Sequence, residues 1–391
     1  MLTLSEVDLK NKRVLVRADL NVPVDQGRIT SDFRLKNSLP TIQYALKQGA
    51  RVAVMSHLGR PKEGVESSKQ PEFSLSPVAK WLKDRLDVDI QLVENWEGGV
   101  NCFGADLALL ENIRFKPGET SNDPRLASEL ARLCDIFVMD AFGVSHRKHA
   151  SSYGAIKQAP VACAGLLMTA ELAALEDMRK RAQQPLIAVI GGAKVSTKLA
   201  ILQQLGKIVD RFIVGGGVAN TLLLAAGYSI GQSFHEPGCL KVAEEMLDSG
   251  QYLLPSDVLV LREKEHQPRI LPVTFVQNED RILDIGPETQ AQYARHIQQA
   301  GSIIWNGPMG VFELDDFVAG TRAVARAIGD SKAFSVAGGG DTLAAIEALD
   351  AWNGISLIST GGGAFLKLME GKSLPAVEAL NCNRSTAKQG D

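Results

Sequence analysis

Short apolar runs that read as strands recur along this chain, each closed by glycine or charged residues and followed by a helical segment. That alternation predicts an open parallel sheet covered on both faces. In the first half the runs are Arg13–Ala18, Arg51–Met55, Asp106–Leu110 and Ile136–Met139. Helices are expected between them over Asp32–Gln48, Pro77–Leu86 and Pro124–Leu133. A second alternation begins at Leu186. Its strands are expected at Leu186–Ile190, Arg211–Val214, Asp257–Leu261, Ser302–Trp305, Ala333–Val336 and Ser356–Ser359. Helices are expected at Val195–Gly206, Val218–Ala226, Leu240–Asp248, Thr289–Gln299, Val318–Ile328 and Thr342–Ala348, and PVTFV and ILDI read as short peripheral strands. The long helical run Leu167–Ala182, broken by Gln183-Gln184-Pro185, reads as a connector between two lobes. At 391 residues the chain exceeds the size at which one core stops growing, so two domains are expected.

In such folds ligands bind outside the carboxyl ends of the strands, which makes the strand-end clusters informative. In the first half they hold Arg17/Asp19/Asn21, His57/Arg60, Arg114 and His146/Arg147, with His149 nearby and Arg34 at the start of the first helix. A rim of Arg34, Arg60, Arg114 and Arg147 with little local acid suits a small polyanion, because guanidinium forks bind phosphate or carboxylate bidentately. A formal net charge of -3 gives no general pull toward nucleic acid or anionic membrane. Aromatic residues do not interleave with the basic ones, and no extended basic stripe exists.

The second half carries glycine clusters instead. Gly191-Gly192-Ala193 is followed by Lys194 and Lys198 at helical spacing; a helix beginning near Ala193 places both ammonium groups on one face by its first turn. Gly338-Gly339-Gly340-Asp341-Thr342 opens another helix whose free N–H groups suit a phosphate. Asp341 reads either as an ordinary N-cap or as a carboxylate that Mg2+ bridges to phosphates. Glu313 reads either as a surface acid or as an acceptor for ribose hydroxyls. Neither GxxxxGK[ST] nor GxGxxG occurs, so this is neither a P-loop nor a nicotinamide fingerprint. The five cysteines contain no C-x-x-C pair and suggest neither disulfides nor zinc. No signal region opens the chain and no apolar run reaches spanning length, so a cytoplasmic location is expected.

Eight ordered motifs give the chain a resemblance to the phosphoglycerate kinases over essentially its whole length. They are RADLNVP (Arg17–Pro23), SHLGRP (Ser56–Pro61), LENIRF (Leu110–Phe115), MDAFGVSHR (Met139–Arg147), GGAKVSTK (Gly191–Lys198), NGPMGVFE (Asn306–Glu313), AGGGDT (Ala337–Thr342) and STGGGAFL (Ser359–Leu366). Ala18, Leu20 and Val144-Ser145 depart from the usual pattern without removing a charged contact.

The resemblance implies two similar-sized, doubly wound, Rossmann-like α/β domains joined by a hinge helix. Residues 1–168 are expected to form the phosphoglycerate domain, with 376–391 packing back onto it. Residues 169–185 are the connector and 186–375 the Mg-nucleotide domain. The implied reaction moves a phosphoryl group between 1,3-bisphosphoglycerate and ADP, giving 3-phosphoglycerate and ATP. Asp19, Asn21, Arg34, His57, Arg60, Arg114 and Arg147 are expected to hold the phosphoglycerate. Gly192, Ala193 and Gly216 are expected near adenine and Glu313 near ribose. Lys198, Asn306 and the Gly339-Gly340-Asp341-Thr342 turn are expected near the phosphates, with Asp341 on Mg2+. Arg34, Lys194 and Lys198 are the residues expected to act on the moving phosphoryl group. The family also implies a monomer that closes on its substrates, with no obligate protein partner.

Overall fold

The computed structural model describes residues 1–99, 102–196 and 198–387. It divides into two compact units, Met1–Ala173 with Ser373–Asp391, and Ala174–Lys372. The first division falls inside the helix Leu166–Arg181.

The first unit is built on six parallel strands: β1 (Arg13–Arg17), β2 (Arg51–Met55), β3 (Ile90–Val93), β4 (Leu107–Leu110), β5 (Ile136–Met139) and β6 (Val161–Ala164). They lie in the order β3-β4-β2-β1-β5-β6. β4 and β5 are buried at every position, which explains why they read as unbroken apolar runs. Arg17 is in register with Met55 and Met139, and Met55 with Leu110. Four strands therefore end level, and the loops leaving them share one edge. The chain leaves β1 toward β2 and returns at β5 before continuing to β6, so the order reverses between β1 and β5. The C-terminal helix Pro375–Ala387 belongs to this unit. Asn383 fastens it, accepting from the Ala162 N–H at 2.9 Å and donating to the Ile156 and Ala159 carbonyls. Residues 388–391 of the expected returning tail lie outside the described residues.

The second unit has six parallel strands and a small antiparallel sheet. Its strands are β7 (Leu186–Ile190), β8 (Arg211–Val214), β9 (Tyr252–Leu253), β10 (Asp257–Leu261), β11 (Arg269–Pro272), β12 (Arg281–Ile285), β13 (Ser302–Asn306), β14 (Phe334–Ala337) and β15 (Leu357–Ile358). The parallel sheet runs β9-β8-β7-β13-β14-β15 and the antiparallel one β11-β10-β12. Here the order reverses between β7 and β13, which pair from Ser302↔Leu186 to Asn306↔Ile190. Ile187, Val189, Ile303 and Trp305 from these two strands pack in one core with Tyr293 and Val324.

Five strands go beyond the expected ones: β3, β6, β9 and the hairpin strands Val24–Asp25 and Arg28–Ile29. All are edge strands. β3 is buried only at its two ends, β6 is a VACA segment after Pro160, and β9 and the hairpin strands are two residues long. The PVTFV expectation is corrected: the strand is Arg269–Pro272, and Val273–Phe275 forms a 3-10 turn. The helix expected from near Ala193 begins instead at Leu199, with Lys198 at its N-cap. Glu236 is the reason visible in the structure, because it accepts from both the Ser196 N–H at 2.7 Å and its hydroxyl at 2.6 Å. That contact holds the segment as a loop, and Lys194 and Lys198 do not share a helical face. Thr197 of the GGAKVSTK motif lies outside the described residues.

Candidate active site

In the first unit, the loops after β1, β2, β4 and β5 assemble the basic rim. Asn21 Oδ1 accepts from the Gly59 N–H at 2.8 Å, and the Gly59 carbonyl accepts from Arg114 Nη1 at 2.5 Å. Arg34 donates to the Asn21 carbonyl at 2.8 Å and lies 3.8 Å from Asp19. Arg60, Arg114, Arg147 and His149 line one cavity of about 460 Å³, together with Glu63 and Thr120. Asp19, Asn21 and Arg34 are thus tied to one another, while Arg60, Arg114 and Arg147 converge on the cavity. His57, 2% exposed, is joined to the group through Arg17, whose Nη2 lies 3.3 Å from His57 Nδ1.

Burial and crowding shift the charges. Burial, then Arg147 and Arg17, lower the Arg114 guanidinium to about 10, still a cation at neutral pH. Its Nε is buried with no hydrogen-bond partner among the described residues. A buried cation with an open donor is what an incoming anion would complete. Burial and the charges of Arg17, Arg114, Arg147 and Arg34 hold His57 well below its ordinary value. Burial, followed by Arg114 and Arg147, lowers His149 to about 4, so its 3.8 Å approach to Glu119 is not an ion pair at pH 7.

Because the His149 folded value lies below the ordinary 6.5, the unfolded chain binds the proton first as pH falls. His149 therefore contributes a loss of stability between about pH 6.5 and 4. His149→Gln is expected to remove that contribution. Urea unfolding at pH 7 and 4.5 checks it: equal pH sensitivity in the two proteins counts against a buried, neutral His149.

The expectation of little local acid is corrected. Glu119, fully buried, accepts from the Ser151 N–H and hydroxyl, and Glu63 accepts from Gly118 and Thr120. Nothing in the sequence separates these two glutamates from ordinary surface acids.

In the second unit, Lys198 sits at the reversal point of the sheet. It is 9% exposed, and its Nζ donates to the carbonyls of Gly191, after β7, and Asn306, at the end of β13, at 2.5 and 3.1 Å. Burial lowers its ammonium to about 8, against an upward pull from Asp341. The glycine turns make this approach possible. A Cβ on Gly192, whose φ is +89°, would lie 3.4 Å from Lys198 Nζ and 3.8 Å from Asp341 Oδ2. Lys198 and Asp341 therefore border the same small space above Gly192. Gly216 donates to the Met309 carbonyl at 2.7 Å, and Val218 to that of Gly192 at 3.3 Å, closing a backbone cradle.

Gly307, at φ +105°, brings the next loop against the same point. A Cβ there would overlap the Gly191 carbonyl and lie 2.8 Å from Lys198 Nζ. Gly307→Ala is expected to cost about 1–3 kcal/mol, the scale of a strained backbone conformation. An unchanged urea midpoint would show that the loop accommodates a side chain.

The helix Gly340–Ala348 starts at the end of β14, and its N-cap is Gly339, with no side-chain cap. Asp341 is thus not the N-cap; it stands exposed in the first turn, leaving that turn's N–H groups for an anion. Thr342 Oγ1 donates to the Gly338 carbonyl and accepts from the Gly307 N–H at 2.8 Å, tying this turn to the neighbouring loop. Asn306 Nδ2 also donates to Gly338, while its Oδ1 is buried without a partner among the described residues. Glu313 is exposed farther along the loop that starts at Asn306. Lys194 and Ala193 are exposed after β7, and the Lys194 charge helps to hold the Glu236 carboxyl down.

No set of three or more His, Cys, Asp or Glu side chains among the described residues could cage a metal. Asp341 beside the open helix turn fits the other way of holding Mg2+, with one carboxylate and the phosphates of a bound nucleotide.

The family described as phosphoglycerate kinase matches residues 4–372. The chain is 51% identical to the phosphoglycerate kinases of two Legionella pneumophila strains, Lens and Paris, over 387 residues and 97% of each chain. It is similar to the structure of phosphoglycerate kinase from Coxiella burnetii, with 46% identity, 97% and 98% coverage and a TM-score of 0.88. The enzyme from Pyrococcus horikoshii OT3 gives 32% identity, 98% and 100% coverage and a TM-score of 0.86. With the same two-sheet α/β architecture and half of its residues shared across nearly the whole length, the chain belongs to the phosphoglycerate kinase family.

Proposed function

We propose that this protein is an ATP:3-phosphoglycerate 1-phosphotransferase. It catalyses the glycolytic exchange in which 1,3-bisphosphoglycerate and ADP give 3-phosphoglycerate and ATP. The observation that carries the reading is Lys198, buried at the reversal point of the second sheet against two backbone carbonyls and bordering the space that Asp341 also faces. A buried ammonium beside glycine turns is costly unless a polyanion uses it, and a nucleotide polyphosphate is such a ligand.

In this reading the cavity of Arg60, Arg114 and Arg147 takes the phosphate and carboxyl oxygens of the phosphoglycerate, and Asp19 and Asn21 orient it. Asp19 and the Asn21 carbonyl both engage Nη1 of Arg34, and Nε and Nη2, which bond no described residue, turn to the acyl phosphate. A β-phosphate oxygen of ADP attacks the acyl phosphorus in line, the bond to the carboxyl oxygen breaks, and the carboxylate leaves without a covalent enzyme intermediate. Arg34 and Lys198 stabilise the charge on the moving phosphoryl oxygens, with Lys194 approaching from the nucleotide side. Gly192, Ala193 and Gly216 bound the adenine, Glu313 accepts ribose hydroxyls, and Asn306 with Gly339, Gly340 and Thr342 holds the phosphates. Asp341 is the residue that would hold Mg2+, which when bound supplies positive charge to the nucleotide phosphates. Asp341→Asn is expected to raise the Mg2+ concentration giving half-maximal activity by at least about tenfold; a Mg2+ titration at saturating substrates checks it.

We further propose a cytoplasmic monomer; among the described residues no helix is long and apolar enough to cross a membrane. The decisive experiment is a coupled assay of ATP formation from ADP and 1,3-bisphosphoglycerate with the purified protein and Mg2+. Folded protein without phosphoglycerate-dependent turnover would overturn the reading. Nucleotide binding without turnover would point to a silent relative, and turnover with another acceptor to a different small-molecule kinase.

A further inference from the structure

Glu119 is fully buried below the basic rim and appears in none of the motifs that carry the resemblance. Its two oxygens engage one residue: Oε2 accepts from the Ser151 N–H at 2.9 Å and Oε1 from the Ser151 hydroxyl at 2.5 Å. A hydroxyl has a single proton to give, so Ser151 Oγ acts as acceptor toward Arg17, whose Nε lies 2.9 Å away. Arg17 is 1% exposed and also donates to the Ala18 carbonyl at 2.5 Å, which leaves its guanidinium no freedom to turn. Its Nη2 ends the chain at His57 Nδ1.

The direction of each bond in this chain follows from chemistry alone. A guanidinium only donates, so His57 Nδ1 accepts and the imidazole proton resides on Nε2. Arg17, Arg34, Arg114 and Arg147 all act to keep a second proton off the ring. No described residue bonds Nε2. His57 therefore carries a neutral N–H with no partner among the described residues, beside Arg17 and close to the cations of the rim.

We propose that Glu119 is a positioning residue of the phosphoglycerate site. Through Ser151 it orients Arg17, and Arg17 holds His57 as the neutral Nε2–H tautomer, a hydrogen-bond donor to the substrate. The substrate part of this inference rests on the kinase reading; the tautomer does not. The arrangement also explains why a carboxylate is buried beneath an anion site. Burial pushes its carboxyl up, Arg17 and the two Ser151 bonds pull it back toward the charged form, and its complete burial keeps it from the ligand.

The test begins with nitrogen-15 spectra of the histidines in the unliganded wild-type protein, with His57 assigned by comparison with His57→Gln. The expected result is a single Nε2–H tautomer with an unprotonated, hydrogen-bonded Nδ1 from pH 6 to 8. An Nδ1–H form or an imidazolium in that range overturns the inference, with no variant of Glu119, Ser151 or Arg17 having to fold. Ser151→Ala and Glu119→Gln are then expected to mix the two tautomers. Ser151→Ala is also expected to raise KM for 3-phosphoglycerate about tenfold and leave KM for ATP unchanged. An unchanged His57 spectrum in both folded variants overturns the relay. A wild type that shows the Nε2–H tautomer but no turnover supports the relay and refutes only the kinase reading.

Discussion

Arg34→Met is expected to lower kcat by about 10²–10³-fold, the loss that follows removal of one preorganised donor to a developing charge. Arg34 is partly exposed, and its contacts with the Asn21 carbonyl and Asp19 are both made by Nη1. Methionine keeps the apolar stem and removes every donor. KM for both substrates should change by much less than kcat, because Arg60, Arg114 and Arg147 remain to bind the ground state. Steady-state kinetics in both directions check this. A rise in KM with kcat unchanged would reassign Arg34 to substrate binding. Arg34→Lys should not restore the activity, since a point charge cannot replace a fork already anchored through Nη1.

Lys198→Met is expected to have an effect of similar size and to remove a pH dependence as well. Burial brings the Lys198 ammonium down to about 8 in the nucleotide-free protein. Bound phosphates favour the charged form, so nucleotide binding above about pH 8 should take up a proton, and affinity should fall as pH rises. Calorimetry in two buffers of different ionisation enthalpy measures that uptake directly. It should be present near pH 8.5 in the wild type and absent in Lys198→Met. Stability has its own sign. The folded value is depressed from 10.5, so between about pH 8 and 10.5 the unfolded chain holds the proton more tightly. Stability should therefore rise with pH across that window, by roughly 3 kcal/mol at most for this group. No proton uptake and no such rise would mean that Lys198 is charged and solvated like an ordinary surface lysine.

These two residues differ in how legible they were. Arg34 was placed by its position at the start of the helix Phe33–Lys47, where tertiary structure brings it to Asn21 and Asp19. In the sequence Lys198 stands out by its helical spacing from Lys194, and the structure removes that reason. The helix starts one residue after Lys198, and the loop before it is held by Glu236, forty residues farther along the chain. Its importance comes instead from two carbonyls at the ends of neighbouring strands, an arrangement no local spacing encodes. The missed strands show the same limit. β3, β6 and β9 are edges, short or only partly buried, with a neighbouring strand on one side alone, whereas the central strands are buried on both faces and read as continuous apolar runs.

By itself the sequence determined the α/β class, the central strands and the residue types gathered at their carboxyl ends. Those properties are local: a fully buried strand must be apolar along its length, and glycines and charges must wait where it ends. The tertiary structure decided which of those ends lie level, where each sheet reverses its order and which side chains are buried there. It alone joined Glu119 to Ser151 and Arg17, and Arg17 to His57. Such links depend on strand register and on desolvation, which are set by the packing of segments far apart in the chain.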